Sequence, residues 1–253
     1  MNFLIYVYRN RSGIMARLYE ICSLSDRGQL REHDEDSIVT IELNRYFEGK
    51  MTQFVLLVLG DGVGGGPAGQ MASRTGVTSF CKNFLDRFLN NEAISVTDMI
   101  EKSFLDANNS VIKTSEENSN YSGMATTLTV AFFDGRKCYI GHVGDSRCYL
   151  IRKGKIKLLT VDQSIGRILQ QALGAQSPLS VFKDELKLEV NDYIMVCCDG
   201  LTNLVDENTI LDIIIRDVDI SIKCKKLVDE ANLRGGTDNI SVALMKVVSE
   251  YNH

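Results

Sequence analysis

Apolar and polar positions along the chain sort into short strand-like runs and a few helix-like stretches. "DSIVTIEL" (36–43) and "FVLLVL" (54–59) read as two strands joined by a polar turn containing Gly49, the second of them a buried strand. From Ala68 to Leu89 apolar residues recur at helical spacing (Met71, Val77, Phe80, Phe84, Leu85, Phe88). Thr97 to Thr114 repeats that spacing, with Thr97 as expected N-cap and Ile100, Phe104, Ala107 and Val111 on one face. A polar loop, "EENSNYSG" (116–123), then separates the helices from close-set strands: "TTLTVAFF", "KCYIGHV", "SRCYLIRKG" and "KIKLLT". Asp134-Gly135 and Lys153-Gly154 supply hairpin turns between them. "LEVNDYIMVCC" is another turn and strand, 207–216 and 220–233 are amphipathic, and "NISVALMKVV" closes the chain as a strand. Strands, two helices, strands, two helices and a strand predict α+β layers rather than a parallel βαβ sheet. No long linker or internal repeat divides the 253 residues, so a single domain is expected over 1–253.

Composition narrows the class of function. A net charge of −5 argues against a general nucleic-acid binder. No run approaches the 18 or so apolar residues of a membrane span, and the N-terminal "MNFLIYVYRNRSGIM" lacks a basic start and a cleavage site. The expectation is a cytoplasmic protein, with Met15 as an alternative start. Seven cysteines, an odd number without a C-x-x-C pair, read as reduced, mostly buried thiols.

The chemistry-bearing positions are carboxylates at strand ends. Asp61 follows the apolar run and precedes a glycine-rich stretch. Asp199-Gly200 follows "IMVCC", Asp238 sits behind two glycines at the start of the last strand, Asp145 lies in a tight turn, and Asp34, Glu35 and Asp36 stack before another strand. Hard divalent cations favour such oxygen donors. Without a cation, clustered acids repel and their pKa values rise. Any one Asp-Gly pair is ordinary turn chemistry; the set, in its order, is not.

In order, "SDRGQLREHDEDS", "GDGVGGG", "GMATTLTVAFF", "HVGDSRCYLIRKG", "LTVDQS", "ALG", "DYIMVCCDGLTNLV" and "GGTDNISV" resemble the metal-dependent PPM family of protein phosphatases, the protein phosphatase 2C type. The resemblance covers about Leu24 to Val248 and leaves 1–20 as a poorly matched extension. It implies a four-layer αββα sandwich, two central antiparallel sheets flanked by pairs of helices. It implies hydrolysis of phosphoserine and phosphothreonine in proteins with two or three Mg²⁺ or Mn²⁺ ions, a metal-activated bridging water attacking phosphorus. Carried over position by position, Asp61 bridges two metals and the Gly62 carbonyl ligates one; Asp199 and Asp238 complete the first metal site. Glu35 and Asp36 hold metal-bound waters or ligate weakly, Asp145 faces a third metal with Asp199, and Arg31 grips the phosphate. The implied partner is a phosphoprotein made by a Ser/Thr kinase; a monomer is the default.

Four departures stand out. Asp34 adds a charge where asparagine is common. Val63 replaces the histidine of eukaryotic members and points to the bacterial branch. Cys198 occupies a position where serine is common. Only "IGRILQQ" stands between "TVDQS" and "ALG", where the family carries a flap of a few dozen residues, so substrate range does not carry over. His142 reads as a structural histidine. The alternatives are a PPM-fold binding or regulatory module and a small-molecule phosphatase. A P-loop is disfavoured, because "GDGVGGGPAG" lacks the following Lys-Ser/Thr.

Overall fold

The computed structural model describes residues 9–10, 13–14, 18–47, 50–63, 66–135, 137–166, 168–175 and 178–249. The Gly49 turn and Met15 lie outside them. Two short strands, β1 (Arg9–Asn10) and β2 (Gly13–Ile14), pair with each other. The main elements are β3 (Tyr19–Asp26), β4 (Asp36–Phe47), β5 (Lys50–Val63), α1 (Pro67–Leu89), α2 (Val96–Glu117), β6 (Ala125–Thr126), β7 (Leu128–Phe133), β8 (Lys137–Val143), β9 (Arg147–Arg152) and β10 (Lys155–Leu158). There follow β11 (Ser164–Ile165), β12 (Ile168–Leu169), β13 (Phe182–Lys187), β14 (Tyr193–Cys197), α3 (Asp199–Thr202), α4 (Glu207–Ile214), α5 (Ile220–Leu233) and β15 (Ile240–Val247).

Two antiparallel sheets carry the structure, ordered β10-β9-β14-β15-β3 and β13-β8-β7-β5-β4, with β6 added beside β5. The expected αββα layering is present. Alternation within β5 shows why its sequence is apolar without a break. Val55, Leu57 and Leu59 enter the layer between the sheets with Cys148, Val196 and Met245. Phe54, Leu56 and Val58 point the other way, into a layer with Phe80, Phe84 and Phe104 of α1 and α2. A strand covered on both faces has no polar position to spare. A third layer, including Met195, Ile210, Leu227 and Leu244, fixes α4 and α5 on the other sheet.

Helix ends follow local chemistry. Pro67 opens α1 after Gly66, whose φ is 61°. Asp206 and Asp219 cap α4 and α5, each accepting a backbone N–H. The expected cap of α2 is corrected: Ser95, not Thr97, is the N-cap, and its hydroxyl accepts from the Asp98 N–H. The lone apolar Val96 extends the helix forward, and Thr97 spends its hydroxyl on Ser95. The chosen face of α2 is correct, since Ile100, Phe104, Ala107 and Val111 are all fully buried. The Lys153-Gly154 turn is confirmed by positive φ at both residues.

Besides the two-residue strands, two longer strands lie where none was expected. β3 begins at Tyr19, inside the stretch read as an extension, and buries Tyr19 between the sheets. β13 begins at the end of "GAQSPLSVFKDE", runs to Lys187 and pairs with β8. Both are sheet edges.

Candidate active site

The acids gather where β4 begins and β5 ends. Asp61 was expected just past its strand; instead β5 continues through Val63, because Asp61 pairs with Asp36 of β4 and Gly62 with Thr126 of β6. Residues directly opposite in an antiparallel pair point to one face, about 5 Å apart, so two carboxylates are forced together. The Asp61 backbone is locked: its N–H donates to Thr127 Oγ1 at 3.0 Å and its carbonyl accepts from Thr127 N and Thr126 Oγ1, both at 2.9 Å. Gly62 is glycine for lack of room, since a Cβ there would collide with the carbonyl oxygens of Gly69 and Glu35.

Asp199 opens α3, with its Oδ2 accepting from Asn203 Nδ2 at 3.0 Å. Gly200 lets that turn approach the Asn239 carbonyl, which no Cβ would allow. Asp238 accepts from Arg31 Nη2 at 2.7 Å and from the Asn239 N–H at 2.9 Å. Arg31, 44% exposed, is thus held on the rim by a proposed metal ligand. Asp145 sits in the turn after β8, beside Gly144.

Electrostatics tie these groups into one site. Burial lifts Asp61 well above the usual carboxylate range, and the charges of Asp36, Asp199, Asp238 and Asp145 add to the shift. Burial pushes Asp36 up to about 7, reinforced by Asp34 and Asp199 and opposed in part by Ser241 and Cys198. Asp199 is raised by burial and then by Asp238. Asp145 rises to about 6 through burial, Asp199 and Asp162. Both carboxylate oxygens of Asp36 are buried without a hydrogen-bond partner. A buried, unpartnered carboxylate facing a second one is costly unless a cation joins them. Among the described residues, Asp36, Asp61 and Cys198 bring one ligand atom each within 4.8 Å of one another. The two carboxylates fit a hard divalent cation; the Cys198 thiol, bonded to Asn239 and Ser241, does not count among its donors.

Other positions have structural employment. Glu35 Oε1 accepts from Gly66 N at 2.6 Å, seating its carboxylate at the start of α1. Asp34 accepts from Ser25 Oγ at 2.6 Å and from the Asp36 N–H at 3.1 Å, so it shapes the approach to β4. His142 is fully buried, with ring nitrogens 2.9 Å from Thr129 Oγ1 and 3.0 Å from the Gly144 carbonyl. Burial drives its pKa down to about 4, as suits a neutral structural histidine. Cys198 Sγ lies 3.2 Å from the Asn239 carbonyl and accepts from the Ser241 N–H at 3.1 Å.

Asn239 escaped the sequence reading. Its Oδ1 accepts from the Glu35 N–H at 2.9 Å, while Nδ2 donates to the Arg27 and His33 carbonyls at 2.9 and 2.8 Å. One buried amide therefore folds the loop that carries Arg31 and Glu35 against Asp238. The signal was its place directly after Asp238 in "GGTDN".

A family profile described as protein phosphatase 2C matches residues 46–227. The chain belongs to the protein phosphatase 2C family. Protein phosphatase PhpP of Streptococcus pneumoniae (strain ATCC BAA-255 / R6) is 32% identical over 254 residues, spanning 91% of this chain and 98% of that one. Serine/threonine phosphatase stp of Listeria monocytogenes (strain F2365) is 29% identical over 242 residues, 88% of this chain and 93% of the relative. The solved serine/threonine phosphatase PstP/Ppp of Mycobacterium tuberculosis superposes with a TM-score of 0.77 at 25% identity, covering 91% and 99% of the two chains. The catalytic domain of PstP in complex with two manganese ions gives a TM-score of 0.75, also at 25% identity, with coverage of 91% and 99%. The bacterial branch suggested by Val63 is thereby supported.

In this phosphatase the flap position is taken by a small hairpin, β11 and β12. Its base is fastened beside Asp145: Gln163 N donates to the Gly144 carbonyl at 2.7 Å, and Gln163 Oε1 accepts from Gly144 N at 2.9 Å. Ile165 and Ile168 point outward, 72% and 69% exposed. Among the described residues, no helix is long and apolar enough to cross a membrane.

Proposed function

We propose that this protein phosphatase removes phosphate from phosphoserine and phosphothreonine in protein substrates, using two or three divalent cations, Mg²⁺ or Mn²⁺. The reading rests on one observation above all: Asp36, its carboxylate buried without a hydrogen-bond partner, faces Asp61 across a strand pair. Asp61 with the Gly62 carbonyl, Asp199 and Asp238 would hold the cations, with Asp36 and Glu35 behind them and Asp145 toward a third. When bound, the cations supply Lewis acidity and an activated water for attack on phosphorus.

The chain's own residues do the rest. Thr126 and Thr127 fix the Asp61 backbone, so the point from which its carboxylate projects is set before binding. Arg31 offers a guanidinium on the rim for the phosphoryl oxygens once Asp238 turns to a cation. Asn239 keeps that arginine's loop in place. The seven unpaired cysteines suit a reducing compartment, and we infer action on cytoplasmic phosphoproteins, the products of a Ser/Thr kinase. No observation favours the binding-module alternative.

The test is phosphate release from a phosphothreonine peptide with Mn²⁺, with Mg²⁺ and with excess chelator, beside calorimetric titration of the metal-free protein. Saturable cation binding with activity confined to the loaded protein is expected. Full turnover of verified metal-free protein would sink the reading.

A further inference from the structure

All seven cysteines are unpaired, and six of them are buried. Cys22, on the edge strand β3, is only half-buried. Its side chain packs on the same apolar layer that contains Cys224 of α5. Cys224 Sγ donates to the Cys22 carbonyl oxygen at 3.7 Å, so the α5 thiol sits directly against the residue that carries the other. We propose that Cys22 and Cys224 are a modification site, converted to a reversible disulfide by hydroperoxides and stapling β3 to α5.

Reactivity is unequal among the seven. The thiolate is the form that attacks an oxidant, so a thiol must be both accessible and acidic enough to react. The neighbouring Cys224 side chain lowers the Cys22 pKa against the opposing effect of burial. Burial raises the other five, Cys81 and Cys197 to about 12 and Cys138, Cys148 and Cys198 further. Cys22 is the natural point of attack and Cys224 the resolving thiol beside it.

The chemistry balances with hydrogen peroxide as oxidant. The Cys22 sulfur attacks one peroxide oxygen and the O–O bond breaks. Cys22 becomes a sulfenic acid, oxidised by two electrons, and the other oxygen leaves as water. The Cys224 sulfur then attacks the Cys22 sulfur. The S–S bond forms, and the sulfenic oxygen leaves as a second water with the Cys224 proton. In a reducing compartment such a bond is transient, as redox-sensing disulfides are.

The staple's position matters because the ends of β3 and α5 carry one wall of the site. Asn232 Nδ2 donates to Asp26 Oδ1 at 3.0 Å, and Gln29 Nε2 donates to Asn232 Oδ1 at 3.3 Å. Just beyond them Arg31 meets Asp238. A covalent link at Cys22 would brace the elements behind both residues. Closing so long a loop restricts the unfolded chain, and a rise in Tm of about 5 °C or more is expected.

The experiment treats the full-length protein with hydrogen peroxide, blocks remaining thiols by alkylation and maps peptides without reduction. Expected are the loss of two thiols, a Cys22–Cys224 linked peptide pair, the rise in Tm, and reversal of all three by dithiothreitol. In Cys224→Ser the link is absent, and Cys22 is trapped as a dimedone adduct of its sulfenic acid. A different linked pair, a Cys22–Cys22 dimer, Cys22 oxidised without a link in the wild type, or no oxidation while a free exposed thiol reacts would each overturn the proposal. The wild-type map decides even if the variant does not fold.

Discussion

The two halves of β5 obey opposite rules. From Phe54 to Leu59 every side chain finds apolar partners, alternately between the sheets and under the helices. From Gly60 to Val63 the same strand carries a carboxylate into contact with another and surrounds it with three more acids. The first half supplies stability; the second gives some of it up, and on the proposed function it gains a place for cations. The backbone geometry is continuous, so the difference lies in the side chains alone. A rigid strand is what allows charges to be held closer than they would choose.

The largest effect should come from breaking the charged half. Asp61→Asn keeps the shape and removes the central anion. Phosphatase activity is expected to fall at least about a thousandfold, roughly 4 kcal/mol of transition-state stabilisation. Cation binding measured by calorimetry should weaken with it, while far-UV circular dichroism stays native. An Asp61→Asn protein with wild-type turnover would show that the acids are mere turn residues. The apolar half answers in the opposite currency. Phe84 of α1, in the layer that covers this half, is fully buried, and its ring lies 4.8 Å from Phe132 and 5.6 Å from Phe80. Phe84→Ala should cost about 3–5 kcal/mol of unfolding free energy. The cation affinity of the remaining folded protein should be unchanged. If it shifts as well, the two halves are coupled through the strand.

How much of this was legible depended on where a residue's partner lay. β5, β8 and α5 announce themselves because burial on one or both faces writes a period into the chain. β3 and β13 do not. As edges they are half-exposed, and β13 reads "FKDELK", with more charge than apolar character. Their strand state comes from backbone pairing to β15 and β8, which local sequence does not encode. The site divides the same way. That Asp61, Asp199 and Asp238 stand at strand ends was readable from order and glycine neighbours. The pairing of Asp36 with Asp61 is a register, and register appears only once two strands are aligned. Asn239 could not be weighed from sequence, because its hydrogen bonds reach Arg27, His33 and Glu35, roughly two hundred positions away.

The acid half also predicts a pH dependence. In the unfolded chain Asp36 takes its ordinary 3.8; folding raises it to about 7, chiefly by burial. The folded protein therefore holds that proton more tightly. The contribution favours folding below the unfolded value and is lost as pH climbs to the folded one. His142 works against this, since its lowered pKa of about 4 costs stability as pH falls below 6.5. Comparing metal-free wild type with Asp36→Asn cancels the histidine. The variant should gain on wild type progressively between about pH 4 and pH 8, by on the order of 4 kcal/mol, in denaturant titrations. Saturating Mn²⁺ should shrink or reverse that gain. A constant difference across the range would mean that Asp36 is not strained.

The smallest stability effect is expected at the hairpin that stands where the flap would be. Ile165 and Ile168 are exposed, so changing both to serine should alter unfolding free energy by no more than about 0.5 kcal/mol. Its consequence for substrates is the sharper question. Part of "GAQSPLSVFKDE" is spent on β13, and the loop after α2 is held back by Ser115 Oγ donating to the Tyr121 carbonyl at 2.9 Å. With both segments so engaged, the hairpin is left as the rim beside Asp145. A low rim offers few contacts to residues flanking a phosphoamino acid, and specificity is a difference of affinities built from such contacts. Across a panel of phosphopeptides kcat/KM should spread over less than about a thousandfold, roughly 4 kcal/mol. The serine pair should move individual members by less than about tenfold, with apolar-flanked peptides losing most. A wider spread in the wild type, collapsing in the variant, would show that two isoleucines discriminate as a full flap does.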